Sequence, residues 1–205
     1  RRTGKPSSPE RLRKGHVALL NRRSKLAANA RRLGFGLGLV ALVALSAKAQ
    51  AGSVDEASVK AAYLYNFAKF VGWPEEAGNP GTPLVIAVFG KDAFGAVLKQ
   101  TVRGETVNGR VISVQSVNRI EDLRPCHILF FGSSNKKRLG EILRATEGAG
   151  ILTVGETDEF IQLGGVIVFV PEGNKIRFEI NLGAARRNRL TISARLLRVA
   201  KGVRE

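Results

Sequence analysis

Apolar and polar positions along the chain change rhythm several times, and each change marks an element. Over residues 59–71 the apolar side chains Val59, Ala62, Tyr63, Phe67 and Phe70 recur at i, i+3, i+4, with Leu64, Ala68 and Val71 widening the stripe. That is the period of an amphipathic helix. Lys60 and Lys69 are expected on its solvent side, and Asn66, inside the stripe, as a buried amide bonded to backbone. Ser53 and Glu56 have capping-box spacing at the start, and Gly72 followed by Pro74 supplies the stop. From Leu84 the pattern alternates: strands over 84–90, 110–117, 127–132 and 151–155 are interleaved with helical patterns over 93–102 and 136–147 and a short helical turn near Glu121.

Runs such as Leu-Val-Ile-Ala-Val and His-Ile-Leu-Phe-Phe are apolar on both faces, as central parallel strands between two helical layers must be. Residues 164–170 and 175–182 flank the turn Pro-Glu-Gly-Asn at 171–174, and the second run places Ile176, Phe178 and Ile180 on one face and Arg177 and Glu179 on the other. This predicts an antiparallel hairpin at a sheet edge. Residues 191–201 read as a closing helix. The expected fold class is therefore α/β: a single three-layer domain over residues 52–205, with a mostly parallel sheet flanked by helices and a C-terminal antiparallel hairpin.

Charge changes this picture only at the start. Of the formal +16, residues 1–49 supply +11, twelve Lys or Arg against Glu10 alone, and the remaining chain carries +5. Residues 1–30 read as a basic stretch, either disordered or the product of a start codon set too far upstream. Residues 31–51 then have the three regions of a cleaved secretory signal peptide: Arg31 and Arg32, the apolar run 33–46, and small residues spaced for cleavage after Ala49 or Ala51. The apolar run is shorter than the roughly 20 residues that span a bilayer. Export would carry the domain away from nucleic acid and, in a bacterium, into an oxidising compartment. With one cysteine, Cys126, no intramolecular disulfide can form.

Candidate chemistry is sparse. Cys126 and His127 are adjacent, but neighbours in a strand point to opposite faces, which argues against a nucleophile and base pair. One cysteine and one histidine in the domain do not make a zinc site. Three predicted strands end in Gly followed by polar residues, and in parallel α/β sheets ligands bind beyond the carboxyl ends of strands. Asp92, Ser133, Ser134 and Asp158 are therefore candidates for a small-molecule crevice, the alternative being that Asp92, Ser134 and Asp158 only cap the next helix or turn. No nucleotide-binding glycine pattern is present. No catalytic group, metal or cofactor is expected. The cations Arg186, Arg187, Arg189, Arg195, Arg198, Lys201 and Arg204 form a basic run that is either a solvated face or a contact for an acidic protein surface or anionic lipid.

The Trp-Pro-terminated aromatic helix (59–74), the Cys-His strand (126–132), the segment 151–170 and the run 175–201 with its Arg-Phe-Glu-Ile-Asn strand together resemble the YfiR family of periplasmic regulators. The resemblance implies a non-enzymatic protein that restrains an inner-membrane diguanylate cyclase by touching its periplasmic domain. It thereby lowers cyclic-di-GMP and biofilm formation, and an outer-membrane lipoprotein sequesters the regulator. Founding members carry disulfides and respond to redox state. Here only Cys126 is present, which leaves an intermolecular redox bridge conditional on its exposure. Within the long helix Tyr63, Phe67 and Phe70 are expected to pack on the sheet, whereas Tyr65 and Trp73 fall off the stripe and, with Arg186, Arg187 and Arg189, are the first candidates for partner contact. The alternative function is a periplasmic small-molecule sensor or input module of a signalling kinase using the strand-end crevice. A homodimer is left open.

Overall fold

A computed structural model describes residues 56–74, 81–90, 93–123 and 126–205, with the side chains of 134–136 excepted. All of them lie in the compact unit Ser53–Glu205. Residues 1–55, on which the expected basic stretch, signal peptide and capping residue Ser53 fall, and Asp92 lie outside the described residues.

The first helix, α1, runs over 56–70 and leads into β1 (Val71–Gly72). Next come β2 (Leu84–Phe89), α2 (Phe94–Thr101), β3 (Thr106–Val107), β4 (Arg110–Val117) and a 3-10 turn at Ile120–Leu123. The chain continues through β5 (Ile128–Phe131), a 3-10 stretch over Ser133–Arg138, α3 (Leu139–Thr146), β6 (Leu152–Gly155) and α4 (Asp158–Gln162). It ends with the hairpin of β7 (Ile167–Glu172) and β8 (Lys175–Asn181), then α5 (Leu182–Arg187), β9 (Thr191–Ile192), α6 (Ala194–Val199) and β10 (Gly202–Arg204).

Eight strands form one sheet in the order β10-β8-β7-β6-β5-β2-β4-β3. The central pairings β7-β6, β6-β5, β5-β2 and β2-β4 run parallel, in the doubly wound order in which the chain first steps outward and then reverses across β2 and β5. Strand alternation divides the core. Ile86, Val88, Ile128, Phe130 and Leu152 face a layer made of α1, α2, α5 and α6. Ala87, Phe89, Leu129 and Phe131 face α3, α4 and the 3-10 turn. Both faces of the central strands β2, β5 and β6 are thus dry, which is why these three are almost continuously apolar.

Helix α1 buries Ala61, Leu64, Phe67 and Ala68, so the core stripe is centred about one position away from the one the periodicity predicts. Tyr63 and Phe67 pack edge-on against Phe178 at ring distances of 5.3 and 5.1 Å, as expected of them. Phe70 is partly buried against the same core. Other expectations for this helix fail. Val59 is 36% exposed, Ala62 and Asn66 are exposed rather than buried, and Lys60 is drawn inward by the carboxylates of Glu56 and Glu156.

The C-terminal run also differs from expectation. Residues 191–201 are not one helix: Thr191 and Ile192 pair antiparallel with Gly72 and Val71, and Ser193 caps a six-residue α6 by accepting from the Leu196 amide. The hairpin is antiparallel as predicted, but it is not the sheet edge, because β10 adds in parallel outside β8.

Candidate functional site

At the amino end of the central strands, Trp73 is half-buried. Its Nε1 donates to the His127 carbonyl oxygen at 3.1 Å, and its ring meets the imidazole edge-on at 6.1 Å. His127 is buried. Its Nδ1 accepts from the Val85 amide at 3.1 Å, and its Nε2 lies 2.8 Å from Arg110 Nη2. Arg110, itself buried, donates from Nε to the Thr82 carbonyl at 2.8 Å and from Nη2 to the Pro83 carbonyl at 3.0 Å. Trp73 and His127 thus close the bottom of the sheet, tying the exit of α1 to β2, β4 and β5.

Tyr65 is also tethered: its hydroxyl donates to Glu105 Oε2, and Lys69 Nζ sits 4.2 Å from its ring centroid. Arg186 pairs with Glu205 at 2.7 Å, and Arg187 pairs with Glu147 at 3.0 Å. Arg189 adopts φ 56 and donates to the Gly148 carbonyl at 3.2 Å. Each of these five side chains, Trp73 and Tyr65 included, has a partner inside the protein.

At the carboxyl end of the strands, the chain supplies its own anion. Glu156, just past β6, accepts from the Ser133 amide at 3.0 Å through Oε2 and from Lys60 Nζ at 2.6 Å through Oε1. Lys60 also pairs with Glu56 at 2.5 Å. The Lys60 and Glu156 side chains are only 13% and 17% exposed. Desolvation alone would lower the Lys60 pKa, but the bonds and charges of Glu156 and Glu56 outweigh it, and the pKa is raised. Between Phe131, Gly132, Ser133, Glu156 and Phe160 there remains a recess of about 10 Å³, room for about one water. Ser133 is among its lining residues, Asp158 is an exposed first residue of α4, and the α4 cap is Thr157, which accepts from the Phe160 amide. The side chains of Ser134 and Asp92 lie outside the described residues. The ion pair that fills this rim was not readable from sequence, since Lys60 and Glu156 are 96 positions apart.

Cys126 is buried, and its Sγ donates to the Ile128 carbonyl oxygen at 3.0 Å. Burial pushes its pKa up to about 12, outweighing a backbone hydrogen bond from Ala87 that lowers it. At neutral pH it is therefore a thiol, without the exposure that an intermolecular bridge requires. Among the described residues no group of three His, Cys, Asp or Glu could hold a metal, and no helix is long and apolar enough to cross a membrane.

The sequence profile of the YfiR/HmsC-like family matches residues 57–201. No curated protein matches the chain. Among solved structures, a conserved domain protein from Vibrio cholerae O1 biovar El Tor is similar at 12% identity and a TM-score of 0.45, over 58% of this chain and 54% of that one. The ABC domain from Streptococcus pneumonia in complex with L-Trp is similar at 10% identity and a TM-score of 0.43, over 58% and 55%. This chain spans about half the length of both.

Proposed function

The chain belongs to the YfiR/HmsC-like family, and from that premise we propose that it is a periplasmic regulator that restrains an inner-membrane diguanylate cyclase by protein contact. Its action lowers cyclic-di-GMP and holds back biofilm formation, and an outer-membrane lipoprotein that sequesters it would release the cyclase. The family match over 57–201 carries this reading. Two features of the fold support it. The strand-end crevice, where a doubly wound sheet ordinarily takes a small molecule, is occupied by Glu156 and Lys60. Cys126 is held by the Ile128 carbonyl and His127 by the Val85 amide and Arg110, so neither is poised as a nucleophile or base.

Deleting the gene tests the proposal: cyclic-di-GMP rises, and deleting the responsible membrane cyclase as well returns it to the starting level. An unchanged nucleotide level on deletion would overturn it. Fractionation supplies a second check, with the processed protein expected in the periplasmic fraction.

A further inference from the structure

Resting on the contact-regulation reading above, we propose that the face of α6 carrying Arg195, Arg198 and Val199, continued by Val203 on β10, docks an acidic protein surface with an apolar centre. Of the seven cations in the C-terminal basic run, Arg189 donates to the Gly148 carbonyl, and the other six divide into two sets in the folded chain. Arg186, Arg187 and Arg204 lie against Glu205, Glu147 and Glu179 at 2.7, 3.0 and 2.6 Å, and Lys201 lies 3.5 Å from Glu172. Their charge is answered at home. Arg195 and Arg198 are exposed, and among the described residues neither has a carboxylate partner.

Their spacing of three places both on one face of the helix, and Val199, four residues after Arg195, shares that face. Val199 is 56% exposed and Val203 45% exposed. Val203 lies opposite Ile180 in register, and Ile180 points into the same core layer as Leu196 of α6. Val203 therefore leaves the sheet on the side where α6 packs. The result is two guanidinium groups beside exposed valines, the mixture of arginine and apolar area that marks protein interfaces.

The platform is rigid, which spares a partner the ordering entropy. Leu196 is 3% exposed, Ser193 caps the helix, the Ser193 amide donates to the Phe70 carbonyl at 3.0 Å, and the Lys201 amide donates to the Phe178 carbonyl at 2.8 Å. The cations select the occupant. A second copy of this chain would bring arginine to arginine. A bilayer is disfavoured because anchoring faces present Trp, Phe or Leu to the acyl boundary, and two short valines reach little depth. Carboxylates match the guanidinium fork in pairs.

The test compares two charge reversals of equal size in the full chain: Arg195→Glu with Arg198→Glu on α6, and Lys99→Glu with Arg103→Glu on and just after the distant α2. Each variant is expressed in the deletion strain, its abundance and thermal midpoint are measured, and cyclic-di-GMP is quantified. The α6 pair is expected to fold, accumulate and leave cyclic-di-GMP at the level of the deletion strain, while the α2 pair restores the wild-type level. Val199→Asp is expected to act like the α6 pair. Retained repression by the α6 pair would overturn this surface while leaving the contact reading intact, as would loss of repression from Arg186→Glu with Arg187→Glu instead. Failure of the wild-type gene to change cyclic-di-GMP would overturn the reading itself. Cosedimentation with vesicles of phosphatidylglycerol and phosphatidylcholine supplies the remaining arm: the protein is expected to stay in the supernatant, and binding that depends on Arg195 and Arg198 would replace a protein partner by a lipid surface.

Discussion

The indole Nε1 of Trp73 donates a 3.1 Å hydrogen bond to the carbonyl oxygen of His127, the same oxygen that accepts from the Leu152 amide at 2.8 Å. One carbonyl thus joins the exit of α1 to the β5-β6 ladder, and an aromatic residue that looks available for docking is also a structural tie. Trp73→Phe keeps most of the ring but removes the donor. Because the His127 oxygen retains its ladder bond, the expected loss is about 0.5–1.5 kcal/mol, read as a lowered denaturant midpoint at unchanged slope. If the substitution abolishes repression without that loss, Trp73 serves a partner and not the fold.

Glu156→Gln separates the strand-end plug from the rest of the molecule. Lys60 keeps only Glu56, and removing one member of a largely buried pair is expected to cost about 1–3 kcal/mol, less than for a fully buried pair because water still reaches the rim. Chemical denaturation measures it. A larger effect of Glu156→Gln than of Glu56→Gln is expected, because Glu156 also holds the Ser133 amide.

Alkaline pH reports on two groups together. Lys60 and Cys126 both have folded-state pKa values above their ordinary ones. Such groups stabilise the fold fully below the unfolded-state pKa and lose that contribution as pH rises through the folded-state value. For Cys126 the window runs from its ordinary 9.0 to about 12, and for Lys60 it opens above 10.5. Stability is therefore expected to fall between pH 9 and about 12. Cys126→Ala is expected to flatten the lower part of that fall, and thiolate absorbance is expected to appear only as the protein unfolds. Ordinary thiolate titration near pH 9 in the folded protein would contradict the burial.

Phe160 lies between two glycines. A Cβ on Gly155 would come within 2.4 Å of its ring, and one on Gly165 within 2.0 Å. The ring is 1% exposed and cannot swing away. Gly165→Ala is accordingly expected to destabilise by about 3 kcal/mol, the upper part of the range for overpacking a core. A neutral effect on the thermal midpoint would show that α4 can shift.

Strands β2, β5 and β6 were legible in the sequence because parallel strands buried on both faces are continuously apolar, β4 was legible from its β-branched residues although several of its positions are exposed, and the α/β class came from the alternation of all four with helices. The pieces that were missed are the short ones. β1, β9 and β10 hold two or three residues each, and their ladders exist only because distant segments meet. The segment 191–201 has helical composition, yet Ser193 starts its helix late and β10 takes its end. Charge partners were equally hidden. Lys60 occupies a solvent position of the local pattern, and only the fold reveals Glu156 beside it. Likewise the sequence offered seven basic residues as one run, and only the structure separates Arg186 and Arg187, already paired, from Arg195 and Arg198.

The most direct measurement is a calorimetric titration of the purified protein into the periplasmic portion of the membrane cyclase whose deletion suppresses the rise in cyclic-di-GMP. Saturable binding that weakens with added salt, and that is lost in the Arg195→Glu, Arg198→Glu protein, is expected. Absence of binding by the folded wild-type protein would contradict regulation by contact.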